Sequence, residues 1–126
     1  ESYLDKHRAS YIGLFEERVE DMFEDYIFPQ ENSSHCGCRY LSVKRSDASV
    51  PVTVTADREF AFNVSEYTQE ELTAKTHNYK LEKSPYTVVC IDYKQSGVGS
   101  NSCGPELLPK YRLEEEAFHF QLHLSF

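Results

Sequence analysis

Val50-Pro51-Val52-Thr53-Val54-Thr55 and, after Ala56-Asp57-Arg58-Glu59, Phe60-Ala61-Phe62-Asn63-Val64-Ser65 carry an apolar residue at every second position. Successive side chains of a strand point to opposite faces, so this period builds one apolar and one polar face, whereas a helix needs apolar residues three and four apart. Pro51 has no amide proton for a ladder, which puts it at the edge or the beginning of its strand. Tyr40, Ser42 and Lys44 alternate in the same way with Leu41, Val43 and Arg45. Several short period-two runs separated by Ser/Asp/Ala or Ala-Asp turns predict an all-β chain folded as an antiparallel β-sandwich.

Outward from that centre, Tyr86 to Tyr93 is apolar on both faces, which predicts a strand in the middle of the fold. It leads into Gly97-Val98-Gly99-Ser100-Asn101-Ser102-Cys103-Gly104-Pro105, which concentrates three of the chain's five glycines. Glycine freedom followed by a rigid proline marks a shaped loop. Beyond it, Tyr111 and Leu113 begin another predicted strand. After the acidic turn Glu114-Glu115-Glu116 comes a last one, in which Phe118, Phe120, Leu122, Leu124 and Phe126 face inward. On the amino-terminal side, Ala9 to Phe15 reads as a loosely alternating strand, and Val19, Met22, Phe23 and Tyr26 as one or two helical turns in an acidic setting. Pro29 ends that segment, and Asn32-Ser33-Ser34 reads as a turn. Thr68-Gln69-Glu70-Glu71 is a capping box that opens one short helix near 68–75.

At 126 residues the chain reads as a single domain, 1–126. A first residue Glu1 in place of Met, and a strand-like run that stops at Phe126, suggest an excised piece of a longer protein. With 13 Lys+Arg against 21 Asp+Glu, a net charge of −8 argues against nucleic acid as a partner, because phosphate binding needs a basic footprint. The acidic balance suits a cytoplasmic protein, and no long apolar run or charged-then-apolar leader points to a membrane. Cys36, Cys38, Cys90 and Cys103 are read as thiols in preference to disulfides, since the chain is neither short nor cysteine-dense. His35-Cys36-Gly37-Cys38 invites zinc but lacks the spacing and the second ligand pair.

Chemistry is harder to find. Gly97-x-Gly99 lacks the third glycine and the helix of a dinucleotide fingerprint. None of His7, His35, His77, His119 and His123 is marked as a base for a cysteine or serine nucleophile. His119 and His123, about 13 Å apart along a strand, are too far apart to share a ligand. Asp92 reads as a carboxylate hydrogen-bonded at a strand end, and no catalytic carboxylate pair is evident.

Four stretches together resemble a known family. They are Glu1-Ser2-Tyr3-x-Asp5-Lys6, Asp21-Met22-Phe23-x-x-Tyr26-Ile27-Phe28-Pro29-Gln30-Glu31-Asn32, Phe60-x-Phe62-Asn63-Val64-Ser65-x-Tyr67-Thr68-x-x-x-Leu72, and the glycine loop itself. In this order they are similar to the carboxy-terminal domain of the large bacterial β-galactosidases of glycoside hydrolase family 2. The resemblance implies part of a larger β supersandwich and a parent enzyme, likewise oligomeric, that hydrolyses terminal β-D-galactosides such as lactose with retention. The two catalytic glutamates belong to the family's barrel domain, so no catalytic residue is expected here, and the partners are the barrel and the other domains. A magnesium ion and a monovalent cation are matters for the parent, with no cofactor in this domain. In the family the glycine loop reaches toward the active-site mouth, where some members stack a tryptophan on the sugar. That position falls on Cys103, which has no flat ring, and Asn101 and Ser102 beside it carry hydrogen-bonding groups. These three are the substrate-binding candidates implied. The alternative from another class is a free-standing carbohydrate-binding module, though the chain has no tryptophan to serve as a platform.

Overall fold

The computed structural model describes residues 12–47, 50–96 and 106–126. Helix α1 (Val19–Met22) is followed by strands β1 (His35–Val43) and β2 (Val52–Ser65), helix α2 (Gln69–Ala74), strand β3 (Val88–Asp92) and strand β4 (Leu122–Ser125). Short 3₁₀ turns lie at Asn78–Lys80 and Pro109–Tyr111. The described strands form one four-stranded antiparallel sheet, so the all-β antiparallel class read from the alternation is the one observed.

The sheet is organised around β2, which starts directly after Pro51, as a residue lacking a ladder donor requires. The two runs expected as separate strands are one, and Ala56 to Glu59 stay within it. The interruption survives as a register shift: between the pairs Cys38↔Phe60 and Tyr40↔Thr55, β1 advances two residues while β2 advances five. The excess bends β2 and divides its other edge between two partners. β4 pairs with Thr53 to Ala56, and β3 with Ala61 to Ser65. At the bend Asp57 holds the approach to β4 twice. Its amide donates to the Gln121 carbonyl at 3.1 Å, and its carboxylate accepts from the Gln121 amide at 3.3 Å.

A second shift separates His35↔Phe62 from Cys38↔Phe60, and Gly37 sits in it at φ 65°. A left-handed glycine in an antiparallel pair is the usual occupant of such a bulge. A Cβ there would meet only the Glu59 carboxylate, at 3.9 Å, which is ordinary contact. The cost of a side chain is therefore in the backbone, and Gly37→Ala is expected to destabilise the chain by about 1–2 kcal/mol, read from the urea midpoint. An unchanged midpoint would show that the bulge relaxes at no cost.

Leu41, Val54, Phe60 and Val64 form the buried core on one face, with Cys38, Phe62, Ile91 and Phe120 packed beside them. Val19 and Met22 lay α1 over the same face. The segment entering β1 is fastened by side chains. Asn32 donates to the carbonyls of Glu24 and Gln30, each at 3.1 Å, and accepts from the Glu24 amide at 3.0 Å. Ser33, at φ 58°, donates to the Met22 carbonyl, but the chain makes no turn or bend at Asn32-Ser33-Ser34, where one was expected. In α2, Thr68 Oγ1 accepts from the Glu71 amide at 3.1 Å, the N-cap half of the capping box. The Glu71 carboxylate is engaged elsewhere, by the Glu82 amide at 2.8 Å and by Lys75 at 3.3 Å.

Four further expectations are corrected. Among the described residues β3 is an edge strand rather than a central one: it pairs with β2 alone, and Val89 stays 40% exposed. Residues 12–15 form no strand, and Ile12, Leu14 and Phe15 are exposed. Tyr111 closes a 3₁₀ turn that starts at Pro109, whose fixed φ favours that geometry over a strand. In the last stretch only Phe120 reaches the core. Phe118, Leu124 and Phe126 are exposed, because among the described residues no layer covers that end of the sheet.

Candidate functional site

The three expected substrate-binding residues, Asn101, Ser102 and Cys103, lie outside the described residues. Both chain segments that lead to and from them are described, and side chains fasten each one. On the side of β3, Gln95 is half-buried and uses both ends of its amide. Nε2 donates to Ser34 Oγ and, at 3.4 Å, to Asp92 Oδ2, while Oε1 accepts from the Cys36 thiol at 4.0 Å. Ser34 in turn is buried and donates to the Phe62 carbonyl at 3.4 Å, so the contact reaches β2. Asp92 is thus hydrogen-bonded at the end of a strand, as its position suggested.

Ser96 Oγ accepts from the Leu113 amide at 3.0 Å, and Lys94 pairs with Glu115, which ties residues 94–96 to 113–115. The hydrogen bond to Lys94 holds the Glu115 carboxyl below its ordinary range, and the same bond raises Lys94. On the returning side, Arg112 Nε donates to the Leu107 carbonyl at 2.8 Å and Nη2 to the Glu106 carboxylate at 3.0 Å. Gln95, Ser96 and Arg112 were not singled out from sequence. The signal for Gln95 and Ser96 was their position, polar residues directly beside a glycine-rich segment, which carries no information about partners distant in the chain.

Tyr93, next along, stacks on Phe118 with ring centres 4.3 Å apart and planes 8° from parallel, and Arg58 lies over its ring at 5.5 Å. Of the apolar residues of the final stretch, Phe118 and Phe120 therefore gather at Tyr93.

The other candidates hold no chemistry. Cys36, Cys38 and Cys90 are thiols, as read from composition; Cys103 is outside the described residues. The two thiols have different surroundings: Cys36 reaches Gln95, while Cys38 packs against the core. Among the described residues no three His, Cys, Asp or Glu side chains come together to hold a metal. Burial pushes the Cys38 thiol up to about 11 and raises those of Cys36 and Cys90, the reverse of an activated nucleophile. His119 and His123 are exposed, in keeping with surface histidines. A cleft where Asn32, Asn63, Ser65 and Leu72 meet encloses about 10 Å³, room for one water and not for a sugar ring. No helix among the described residues is long and apolar enough to cross a membrane.

Known proteins match this arrangement along almost its entire length. Residues 1–124 fit the family model described as the beta galactosidase small chain. The beta-galactosidase of Actinobacillus pleuropneumoniae is 49% identical over 126 residues, which is 100% of this chain and 12% of the relative. That of Staphylococcus xylosus is 43% identical over 125 residues, 99% of this chain and 12% of the relative. That of Kluyveromyces lactis is 33% identical over 128 residues, again 100% of this chain and 12% of the relative. The chain thus spans about one-eighth of the length of these relatives, and the resemblance carried by the four sequence stretches is borne out. On this evidence the chain belongs to the beta-galactosidase small-chain family.

Proposed function

We propose that residues 1–126 are one β domain of a β-galactosidase, a non-catalytic part of an enzyme that hydrolyses terminal β-D-galactosides such as lactose with retention. The observation that carries the proposal is a family match over nearly all of this chain and only 12% of each relative, which leaves most of the enzyme to other segments. The two glutamates of a retaining mechanism, an acid/base and a nucleophile about 5–5.5 Å apart, belong to the barrel in this reading. This chain packs against the barrel and other domains, in an oligomeric cytoplasmic enzyme. Magnesium and a monovalent cation belong to the rest of that enzyme.

The contribution of this chain to binding is the glycine loop. Asn101 and Ser102 offer hydrogen bonds to sugar hydroxyls, and Cys103 offers a small, polarizable apolar surface. Support comes from the fastening of both adjoining segments, because a wall of a binding site needs fixed supports.

The isolated chain separates this reading from a free-standing sugar-binding module. With a nitrophenyl β-galactoside it is expected to release no nitrophenol, and calorimetric titration with galactose is expected to be flat. Turnover by the pure chain would overturn the non-catalytic assignment, and a saturable heat of galactose binding would favour the module.

A further inference from the structure

We propose that residues 121–125 form a strap that leaves the edge of β2 while the rest of the sheet stays folded, and that Asp57 is its latch. Segments that open at low cost have few buried apolar side chains and backbone bonds close to solvent. The final stretch changes to that character at one point. Up to Phe120 it is anchored: Phe118 stacks on Tyr93, and Phe120 meets the same ring edge-on at 5.8 Å and packs beside the buried cluster. Past Gln121 the anchoring stops. All four residues of β4 are exposed, and Leu124 stays 55% exposed although it pairs with the buried Val54. β3, also an edge strand among the described residues, leaves only Val89 of its five residues exposed.

The latch sits at that point of change. Asp57 directly follows Ala56, the last residue of β2 that pairs with β4, and it binds Gln121 twice. Its amide donates to the Gln121 carbonyl at 3.1 Å, and its carboxylate accepts from the Gln121 amide at 3.3 Å. A side-chain oxygen thus takes the place of a main-chain acceptor where the ladder ends. The bond to the Gln121 amide lowers the Asp57 pKa, so the carboxylate is ionised at neutral pH and can only accept. Arg58 Nε lies 3.6 Å from the same oxygen. Opening does not release β2, whose other edge stays paired with β1 from Val52 to Thr55. It uncovers the main-chain groups of Thr53 to Ala56.

The test is hydrogen exchange, read by mass spectrometry on the whole β-galactosidase that carries this segment. The β4 amides are expected to exchange at least about ten-fold faster than the slowest amides of β1, which pairs with the same strand. Asp57→Ala removes the carboxylate and leaves the backbone bond to Gln121. It is expected to speed exchange in β4 by a further factor of about two to ten, the worth of one hydrogen bond, with β1 and β3 unchanged. Asp57→Asn keeps an acceptor oxygen, and its β4 exchange is expected within about two-fold of that in the unsubstituted enzyme. If Asp57→Ala speeds β1, β3 and β4 alike, Asp57 supports the whole sheet and is no latch; no change in β4 excludes the latch as well. Exchange in β4 as slow as in β1, with Asp57 in place, overturns the strap itself, and that comparison needs no variant to fold.

Discussion

Phe60→Ala is expected to destabilise the chain by about 3–5 kcal/mol, from lost transfer energy plus the cavity left behind. Phe60 is the largest fully buried side chain among the described residues, at 2% exposure, and Leu41, Val54 and Val64 share its cluster. It also lies between the two register shifts of β1 against β2, where the pair Cys38↔Phe60 stands alone. Domains of this size are typically stable by only about 5–15 kcal/mol, so the loss is a large share of the whole. By contrast the ion pairs Arg18–Glu20 and Arg39–Glu59 have mostly exposed side chains and contribute at most about 1 kcal/mol each. Urea unfolding with an unchanged m-value would report the difference. A loss below about 1 kcal/mol would mean that the core is centred elsewhere.

Cys103→Trp in the whole enzyme is the second large expected effect, and it acts on binding. A cysteine presents a small soft surface, whereas an indole presents a broad flat one that covers the apolar face of a sugar ring. If the loop forms a wall of the sugar site, the indole adds about 1–2 kcal/mol of contact and tightens galactoside binding roughly five- to thirty-fold. The effect expected is one on binding, so affinity is expected to move while the thermal midpoint does not.

How much of this was legible in the sequence depended on the range of the interactions involved. The alternation through Val52, Val54, Phe60, Phe62 and Val64 is local, and it gave the strand and its buried face directly. The helix cap at Thr68 is local too, and it is present. Pairing is not local. Tyr86 to Tyr93 is apolar enough for a central strand, yet β3 took an edge because β2 bends at Ala56 to Glu59 and shares that side with β4. The same bend explains why an expected turn became the middle of a long strand. The apolar residues Phe118, Leu124 and Phe126 were read as inward because alternation reports which face a side chain is on, not whether anything covers that face. At the candidate site, glycine content pointed to the loop. Two partners of Gln95, Ser34 and Cys36, are about sixty residues away, and no local pattern announces them.

The central claim, that this chain shapes a sugar site whose chemistry lies in other segments, is tested most directly by steady-state kinetics of the parent β-galactosidase and its Cys103→Trp variant on a nitrophenyl β-galactoside. The expected result is a KM lowered several-fold, with the same thermal midpoint and a kcat within about two-fold, the pattern of altered binding without altered chemistry. Identical KM values in the two enzymes would contradict it.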